Sequence, residues 1–347
     1  MRLRPLTWTR RTLARLTRPR PTVSIPPDGS EGSAADGRAL RVFFVPGLDR
    51  CNYRCPYCIT GPDHDRRRAW EPGPFHRIID RLVALPASID ALELGVGGEP
   101  LLSSDILDGV RRLALSRNID AVNLVTNLSP PLAALEDWLG DLPAAKLGFA
   151  CTYHPSDAGD LGAFVAKVRA LGDLGPGVAA GCVAYPPNLP LVGELRAAAE
   201  AAGLPLFVNA FVGEYGGRSY PAAYTEAERA FLRPLVYAEH DWEYLFTPRT
   251  TRGEPCGAGC SAVMIGPNGD CFRCTYQYNR GLAPLGNLLR DGGLRLFDRY
   301  LPCPAEHCFC TAETTSTARF EARYRRTGHF RLYVPRDRAG AVAEAPR

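Results

Sequence analysis

The sequence predicts an α/β fold with a parallel sheet, and two patterns support this prediction. Six apolar runs of strand length begin near Arg41, Ala91, Ala121, Lys146, Val178 and Leu206. Between them lie stretches with apolar residues three and four positions apart, such as 75–85 and 163–171, which is the spacing of amphipathic helices. Strands that alternate with helices pair in parallel, because each helix returns the chain to the start of the next strand.

The composition predicts a globular protein with one large and one small domain. The chain has 347 residues, of which 46% are hydrophobic and 22% are charged. It has neither an apolar run long enough to cross a membrane nor the apolar core of a secretory signal, so we expect a cytoplasmic protein without a membrane span. Twelve cysteines in such a protein indicate metal sites rather than disulfides. A net charge of +4 gives no reason to expect a nucleic-acid partner.

The two ends of the chain differ in composition from the rest. Residues 1–38 are rich in arginine and then in Pro, Gly, Ser and Ala, which predicts a flexible basic arm. Such an arm is either solvated or bound to an anionic partner. The strand-and-helix unit is predicted to span 39–245, a cysteine-rich domain 246–330 and a loose tail 331–347. Within the first unit, Thr225 followed by Glu228 predicts the start of a helix.

Three cysteines lie close together directly after the first predicted strand, at Cys51, Cys55 and Cys58. Iron–sulfur clusters are held by cysteine thiolates, usually four. Three thiolates with no fourth nearby therefore indicate a 4Fe-4S cluster with one iron left open for chemistry. A structural zinc site is the alternative, although zinc is normally closed by four ligands in paired spacings.

The CxxxCxxC spacing, with Tyr57 directly before the last cysteine, resembles the signature loop of the radical S-adenosylmethionine (radical SAM) enzymes. The resemblance implies that the open iron binds S-adenosylmethionine. An electron, supplied by a donor such as flavodoxin or ferredoxin, would cleave it to a 5'-deoxyadenosyl radical that abstracts hydrogen from an organic substrate. The family also implies a six-unit (β/α)6 partial TIM barrel with its site at the C-terminal strand ends.

Four segments at predicted strand ends strengthen the resemblance. The first, Gly97-Gly98-Glu99-Pro100, is by itself an ordinary turn sequence. After a CxxxCxxC loop it resembles the family segment whose backbone meets the amino group of S-adenosylmethionine, with the glutamate nearby.

The other three segments carry single candidate residues for cofactor binding. Asn127 ends the third predicted strand, as the Thr-Asn ending does in the family. Thr152 stands where the family often places a hydroxyl that contacts the ribose. Asn209 ends the sixth run. All would lie with the cysteine loop on one open face of the barrel.

Cys151 and Cys182 lie in predicted strands, away from both cysteine clusters. A lone cysteine in a strand is ordinarily a small core residue. Because Cys151 is near the C-terminal end of its strand, it is also a candidate hydrogen donor to a substrate radical, which would make the reaction an epimerisation. Tyr153, His154 and Glu214 are candidate substrate contacts on the same rim, or ordinary loop residues.

A second set of cysteines follows the last predicted strand of the barrel, at Cys256, Cys260, Cys271, Cys274, Cys303, Cys308 and Cys310. An Asn268-Gly269 pair predicts a β-hairpin that brings flanking cysteines together. This block resembles the C-terminal extension called SPASM, or its shorter "twitch" relative, which carries auxiliary 4Fe-4S clusters. Part of the SPASM cysteine pattern is absent, so the resemblance implies at least one auxiliary cluster and leaves a second open.

The sequence allows more than one set of ligands for the auxiliary cluster. The preferred set is Cys256, Cys274, Cys308 and Cys310, with Cys260, Cys271 and Cys303 as alternatives. A zinc ribbon built from Cys256, Cys260, Cys271 and Cys274 also has acceptable spacing.

The sequence therefore predicts a radical SAM enzyme with a second iron–sulfur cluster. Residues 1–38 cannot form a folded domain that binds a peptide leader. This favours a small-molecule or carbohydrate-derived substrate, with epimerisation, dehydrogenation or rearrangement as the reaction. Modification of a peptide or protein is the alternative. A non-catalytic iron–sulfur or zinc-binding protein is the alternative of another class, but it would not need the S-adenosylmethionine segments.

Overall fold

The computed structural model describes residues 23–25, 40–48, 50–59, 70–236, 239–247, 250–290 and 294–308. The strands are β1 (Val23–Ile25), β2 (Leu40–Phe44), β3 (Ile89–Leu94), β4 (Val122–Thr126), β5 (Leu147–Tyr153), β6 (Gly177–Ala184), β7 (Leu206–Ala210), β8 (Gly213–Tyr215), β9 (Arg218–Tyr220), β10 (Pro255–Cys256), β11 (Ala262–Ile265), β12 (Asp270–Phe272), β13 (Gly286–Asn287), β14 (Leu294–Leu296) and β15 (Leu301–Pro302). The helices are α1 (Pro72–Val83), α2 (Ser104–Leu115), α3 (Leu132–Leu139), α4 (Leu161–Asp173), α5 (Leu189–Ala201), α6 (Glu226–Leu232), α7 (Glu239–Phe246) and α8 (Thr275–Asn279).

One sheet of nine strands organises the molecule, in the order β13-β12-β11-β2-β3-β4-β5-β6-β7. Strands β2 to β7 pair in parallel, and each of the helices α1 to α5 connects one of them to the next. The six predicted strands are thereby confirmed in number, position and parallel pairing. The parallel arrangement places the C-terminal ends of all six strands, and the loops that follow them, on one side of the sheet.

The two faces of the sheet differ in the side chains they carry. Phe44 stacks on Phe75 of α1 with ring centroids 5.8 Å apart, and Tyr153 packs against Phe164 of α4 at 5.2 Å, so these strand positions face the helices. Alternate residues of a strand point to opposite faces. The positions between them therefore face the barrel interior.

Apart from Val183, the interior face of β5 and β6 is lined by small residues, at Gly148, Ala150, Thr152, Gly177, Ala179 and Gly181. A Cβ at Gly181 would lie 2.3 Å from the Phe207 ring, so this glycine makes room for Phe207 of β7. Val125 on the neighbouring β4 is 47% exposed although it lies in a central strand. The barrel interior is thus open to solvent near the C-terminal strand ends.

The cysteine-rich region joins the same sheet. Strand β11 pairs in parallel with β2, with Val263 opposite Val42, and β12 pairs antiparallel with β11. The predicted hairpin at Asn268-Gly269 is confirmed, and Gly269 has the left-handed φ of +80° that this turn requires. The sheet is therefore continuous between the barrel and the cysteine-rich region.

One short strand lies within the predicted basic arm. Residues 23–25 form β1, which pairs antiparallel with β14. The Val-Ser-Ile sequence there has the β propensity that suits a strand. The rest of the predicted arm, and the predicted tail at 331–347, lie outside the described residues.

Helix α6 begins at the predicted cap. The Thr225 Oγ1 accepts a hydrogen bond from the Glu228 backbone N–H at 3.2 Å, and the Glu228 carboxylate accepts one from the Thr225 N–H at 2.6 Å. This reciprocal arrangement satisfies two N–H groups that the helix itself cannot pair. In the described part of the chain, no helix is long and apolar enough to span a membrane.

Replacing Thr225 by alanine is expected to lower the free energy of unfolding by about 1 kcal/mol, because the cap is lost. Urea denaturation followed by circular dichroism measures this loss. The Thr225→Ser variant keeps the hydroxyl and is the matched control. Equal stability of the alanine and serine variants would show that the cap does not contribute.

Candidate active site

The loop with the first three cysteines follows β2 at the C-terminal edge of the sheet. Cys55 is buried, and Cys51 and Cys58 are half-buried. The loop is folded by its own backbone: the Tyr53 N–H lies 3.4 Å from Cys51 Sγ, and the Cys58 N–H donates to the Cys55 carbonyl at 3.1 Å. Burial raises the pKa of Cys51 and raises that of Cys55 to about 12. Thiols in such a site lose their protons when a metal binds, because the positive charge of the metal stabilises the thiolates.

The Gly97-Gly98-Glu99-Pro100 loop is docked directly on the chain that enters the cysteine loop. The Gly97 N–H donates to the Leu48 carbonyl at 3.0 Å, and the Glu99 N–H donates to the Arg50 carbonyl at 2.8 Å. A Cβ at Gly98 would lie 1.8 Å from the Arg50 oxygen. Only glycine fits there, because the two backbones are in direct contact.

Glu99 joins the ends of two strands. Its side chain is 2% exposed. One carboxylate oxygen accepts from the Leu101 N–H at 3.0 Å and from the Thr126 hydroxyl at 2.6 Å, and the other accepts from the Asn127 N–H at 2.6 Å. Burial raises the pKa of Glu99 to about 7, although these hydrogen bonds act in the opposite direction. Glu99 thus holds the end of β4 against the loop after β3.

Replacing Glu99 by glutamine is expected to lower the free energy of unfolding at neutral pH by about 1–3 kcal/mol, because an amide NH₂ would face a hydrogen-bond donor at one of these positions. The loss should depend on pH. The pKa of Glu99 is raised in the folded state to about 7, so the carboxyl's contribution to stability is complete below its unfolded pKa of about 4.3 and declines as pH rises through about 7.

The difference in stability between wild type and Glu99→Gln should therefore shrink from about pH 5 to about pH 8. Urea denaturation of both proteins across this range measures it. A difference that stays constant with pH would contradict a raised pKa at Glu99.

Asn127 lies against the cysteine loop, as expected from its position after β4. Its Nδ2 donates to Asn52 Oδ1 at 3.0 Å and lies 3.8 Å from Cys51 Sγ. Its Oδ1 accepts from the Ser129 N–H at 2.9 Å, which fixes the orientation of the amide. Asn52 was not singled out from the sequence, because an asparagine between two cysteines carries no signal of its own.

His154, directly after β5, also contacts the cysteine loop. Its Nδ1 is 3.2 Å from Cys55 Sγ and 3.2 Å from the Tyr57 hydroxyl, and its ring stacks on Tyr57 with centroids 5.9 Å apart. Burial lowers the pKa of His154 to about 4, so the imidazole is neutral at physiological pH. The sequence suggested His154 as a substrate contact, whereas the structure places it beside a candidate cluster ligand.

The other predicted rim residues are dispersed. Thr152 is buried on the interior face of β5, and Asn209 is exposed at the end of β7. Glu214 is exposed in β8. The Tyr153 hydroxyl donates to the Gly159 carbonyl at 2.8 Å, and its ring packs on α4, so this residue faces away from the barrel interior.

Cys151 lies in the core between the sheet and the helices. Its side chain is fully buried, and burial raises its pKa. Thr152, the next residue in the strand, faces the interior instead. The geometry therefore gives no support to Cys151 as a hydrogen donor. Cys182 is buried in the same core and is likewise a packing residue.

Four cysteines of the second set share one buried cluster, at Cys256, Cys274, Cys303 and Cys308. None of the four is more than 8% exposed. Cys260 packs instead with Phe297 and Leu301, and Cys271 is in the main core, where its thiol lies 3.5 Å from the Gly269 carbonyl.

This grouping separates the candidate ligand sets. The four cysteines proposed for a zinc ribbon fall into three different clusters, which speaks against that ribbon. Cys303, which the sequence predicts only as an alternative ligand, joins Cys256, Cys274 and Cys308. Cys310, which the sequence favoured, lies outside the described residues.

Within the described ranges, no three His, Cys, Asp or Glu side chains have the geometry to hold a single metal ion. A 4Fe-4S cubane does not require its cysteine sulfurs to converge on one ion, because each thiolate binds a different iron. The described cysteines are free thiols rather than disulfides.

Curated relatives match the chain over a limited region. GTP 3',8-cyclase of Synechococcus elongatus is 35% identical over 113 residues, which is 32% of this chain and 32% of that protein. The GTP 3',8-cyclase of Peptoclostridium acidaminophilum is 30% identical over 92 residues, or 26% of this chain and 28% of that protein. The matches thus span about a third or less of these relatives' length. No family model matches the chain.

The fold is found in a solved structure. The tagged form of anSMEcpe with bound AdoMet superimposes with a TM-score of 0.50 at 14% identity, covering 73% of this chain and 79% of that chain. At this identity the similarity concerns the fold alone. Sequence relatives and fold together confirm the predicted resemblance to the radical SAM superfamily and its partial barrel.

Proposed function

We propose that the chain is a radical SAM enzyme with one auxiliary iron–sulfur cluster. The observation that carries this proposal is the docking of the cysteine loop against the ends of three neighbouring strands. The Gly97–Pro100 loop contacts the chain that enters the cysteine loop, and Asn127 and His154 lie against its cysteines. An electron carrier would not need this assembly at the strand ends.

Cys51, Cys55 and Cys58 would hold the first 4Fe-4S cluster. When bound, it supplies the electron that cleaves S-adenosylmethionine to methionine and a 5'-deoxyadenosyl radical. The chain's own residues bind and orient the cosubstrate. The backbone at Gly97 and Gly98 would meet its amino group, and Thr152 its ribose.

Glu99 and Tyr57 hold the loops of the site in place and take no part in the reaction itself. Both Glu99 oxygens are occupied by hydrogen bonds from Leu101, Thr126 and Asn127, so its role is to hold the site in shape. Tyr57 packs between His154 and Tyr185 and closes the side of the cysteine loop that faces β5 and β6. Asn209 would line the outer rim of the cavity.

Cys256, Cys274, Cys303 and Cys308 would hold the auxiliary 4Fe-4S cluster. They fit this role because they are four thiols from three separate chain segments gathered in one buried cluster. The division into a barrel at 39–245 and a cysteine-rich unit at 246–330 is part of this proposal, although the sheet runs through both.

The substrate is proposed to be a small molecule or a carbohydrate-derived intermediate. Val125 of β4 is 47% exposed, so solvent reaches the interior face of the sheet near the C-terminal strand ends, where a small substrate would meet the cosubstrate. Abstraction of hydrogen there would lead to epimerisation, dehydrogenation or rearrangement. A peptide substrate is the second candidate, favoured by the exposed apolar side chains Val212 and Tyr215 on the rim next to Tyr185.

The test is anaerobic reconstitution of the wild-type protein with iron and sulfide, followed by dithionite reduction and addition of S-adenosylmethionine. We expect about eight iron atoms per chain, as two cubanes require, and formation of 5'-deoxyadenosine. S-adenosylmethionine should also change the EPR spectrum of the reduced protein. Uptake of zinc without cleavage would refute the proposal and leave a metal-stabilised binding protein.

A further inference from the structure

Arg273 is a buried charge in the middle of the cysteine-rich region. It follows β12 directly, precedes Cys274 and is only 6% exposed. Its guanidinium donates four hydrogen bonds, all to backbone carbonyls. Nε donates to Ala258 at 2.8 Å, Nη1 to Pro302 at 2.9 Å, and Nη2 to Leu301 at 2.8 Å and Cys256 at 3.5 Å.

These carbonyls belong to the segments that carry the thiols of the proposed auxiliary cluster. Cys256 and Leu301 are paired residues of β10 and β15, and Pro302 immediately precedes Cys303. Arg273 itself is adjacent to Cys274. One side chain thus fixes the positions of three of the four proposed ligands relative to one another.

The charge of Arg273 lacks a carboxylate partner in the part of the chain that the structure describes. Carbonyl oxygens satisfy its N–H groups but carry no net charge. A buried cation is costly unless an anion compensates it. Four thiolates around a cubane outweigh the positive charge of its core and provide such an anion at this place.

We infer that Arg273 is the counter-charge of the auxiliary cluster and a positioning residue for its ligands. A nearby positive charge stabilises the reduced state, which is the more negative one. Arg273 therefore raises the reduction potential of this cluster. The inference rests on the proposed function, because it requires that the cluster is present.

The test uses the full chain with Cys51, Cys55 and Cys58 replaced by alanine, so that only the auxiliary cluster remains. In this triple alanine variant, called the parent, Arg273→Gln removes the positive charge and keeps a hydrogen-bond donor. Arg273→Lys keeps the positive charge but removes the forked N–H groups of the guanidinium. The midpoint potential is measured by dithionite titration followed by EPR. Arg299→Gln, at an exposed arginine in the same region, is the control.

We expect a more negative potential in Arg273→Gln and potentials close to the parent in Arg273→Lys and Arg299→Gln. Equal potentials in all variants would overturn the counter-charge role and leave Arg273 as a structural residue only. If Arg273→Gln loses its iron, the lysine variant decides. Retention of iron at the parent potential in Arg273→Lys supports the counter-charge role, whereas the same loss of iron overturns that role and leaves Arg273 as a positioning residue only. If the parent itself binds no iron, the proposed auxiliary cluster does not exist and the proposed function fails in that part. If the parent binds iron, only the role of Arg273 is under test.

Discussion

Replacing Cys51, Cys55 and Cys58 together by alanine is expected to abolish formation of 5'-deoxyadenosine and to leave about four iron atoms per chain, the content of one cubane. The two cysteine sets lie in different clusters of the structure, because Cys55 packs in the main core and Cys256, Cys274, Cys303 and Cys308 pack together elsewhere. The loss of one cluster should therefore spare the other. Iron analysis and chromatography of the reaction products measure both effects.

The matched control is Cys182→Ala, which also removes a buried thiol but lies outside both sets. It should keep about eight iron atoms and full cleavage, since two cubanes remain. A triple variant that still forms 5'-deoxyadenosine would remove Cys51, Cys55 and Cys58 from the proposed role. A triple variant without any iron would show that the second cysteine set holds no cluster.

Replacing Gly98 by alanine is expected to have the next largest effect. The added methyl would lie 1.8 Å from the Arg50 oxygen, 2.4 Å from its carbonyl carbon and 2.7 Å from its nitrogen, all of them backbone atoms that cannot rotate away. Relief requires separation of the two loops, and overpacking of this kind costs about 1–3 kcal/mol. The cysteine loop would then lose its support.

We expect Gly98→Ala to lose most of the iron of the first cluster and at least about tenfold in the affinity for S-adenosylmethionine, since about 1.4 kcal/mol corresponds to a factor of ten. Iron analysis and the S-adenosylmethionine dependence of the EPR spectrum measure this. Gly193→Ala is the control, because a Cβ at Gly193 in α5 meets no atom within 4 Å. Wild-type iron and affinity in Gly98→Ala would show that the two loops do not need their close contact.

The strands, the hairpin and the capped helix could be predicted because each has a local signal. The six strands are runs of apolar residues, the hairpin has an Asn-Gly turn, and α6 has Thr225 three residues before Glu228. These patterns depend on neighbours in the sequence. The parallel pairing of the strands then followed from their alternation with helices.

The contacts that shape the candidate site could not be predicted, because they join distant parts of the chain. Neither the hydrogen bonds of Glu99 to the end of β4 nor the contact of His154 with Cys55 has a local pattern. The place of Cys303 among the auxiliary ligands depends on the pairing of β10 with β15, two strands of two residues each. An arginine in the apolar segment before Cys274 was the one available signal for Arg273.

The pairing of β11 with β2 has a consequence for how this chain can be divided. Because of it, β2 is not an edge strand: the Arg41 N–H donates to the Ser261 carbonyl at 2.9 Å, and the Val45 N–H donates to the Ile265 carbonyl at 2.9 Å. A barrel cut off before the cysteine-rich region would expose these groups as an open β edge, which is a template for aggregation. The cysteine-rich region thus has two roles: it covers the edge of β2, the strand that leads into the first cysteine loop, and it carries the second set of cysteines. We therefore expect the barrel to aggregate when this region is removed.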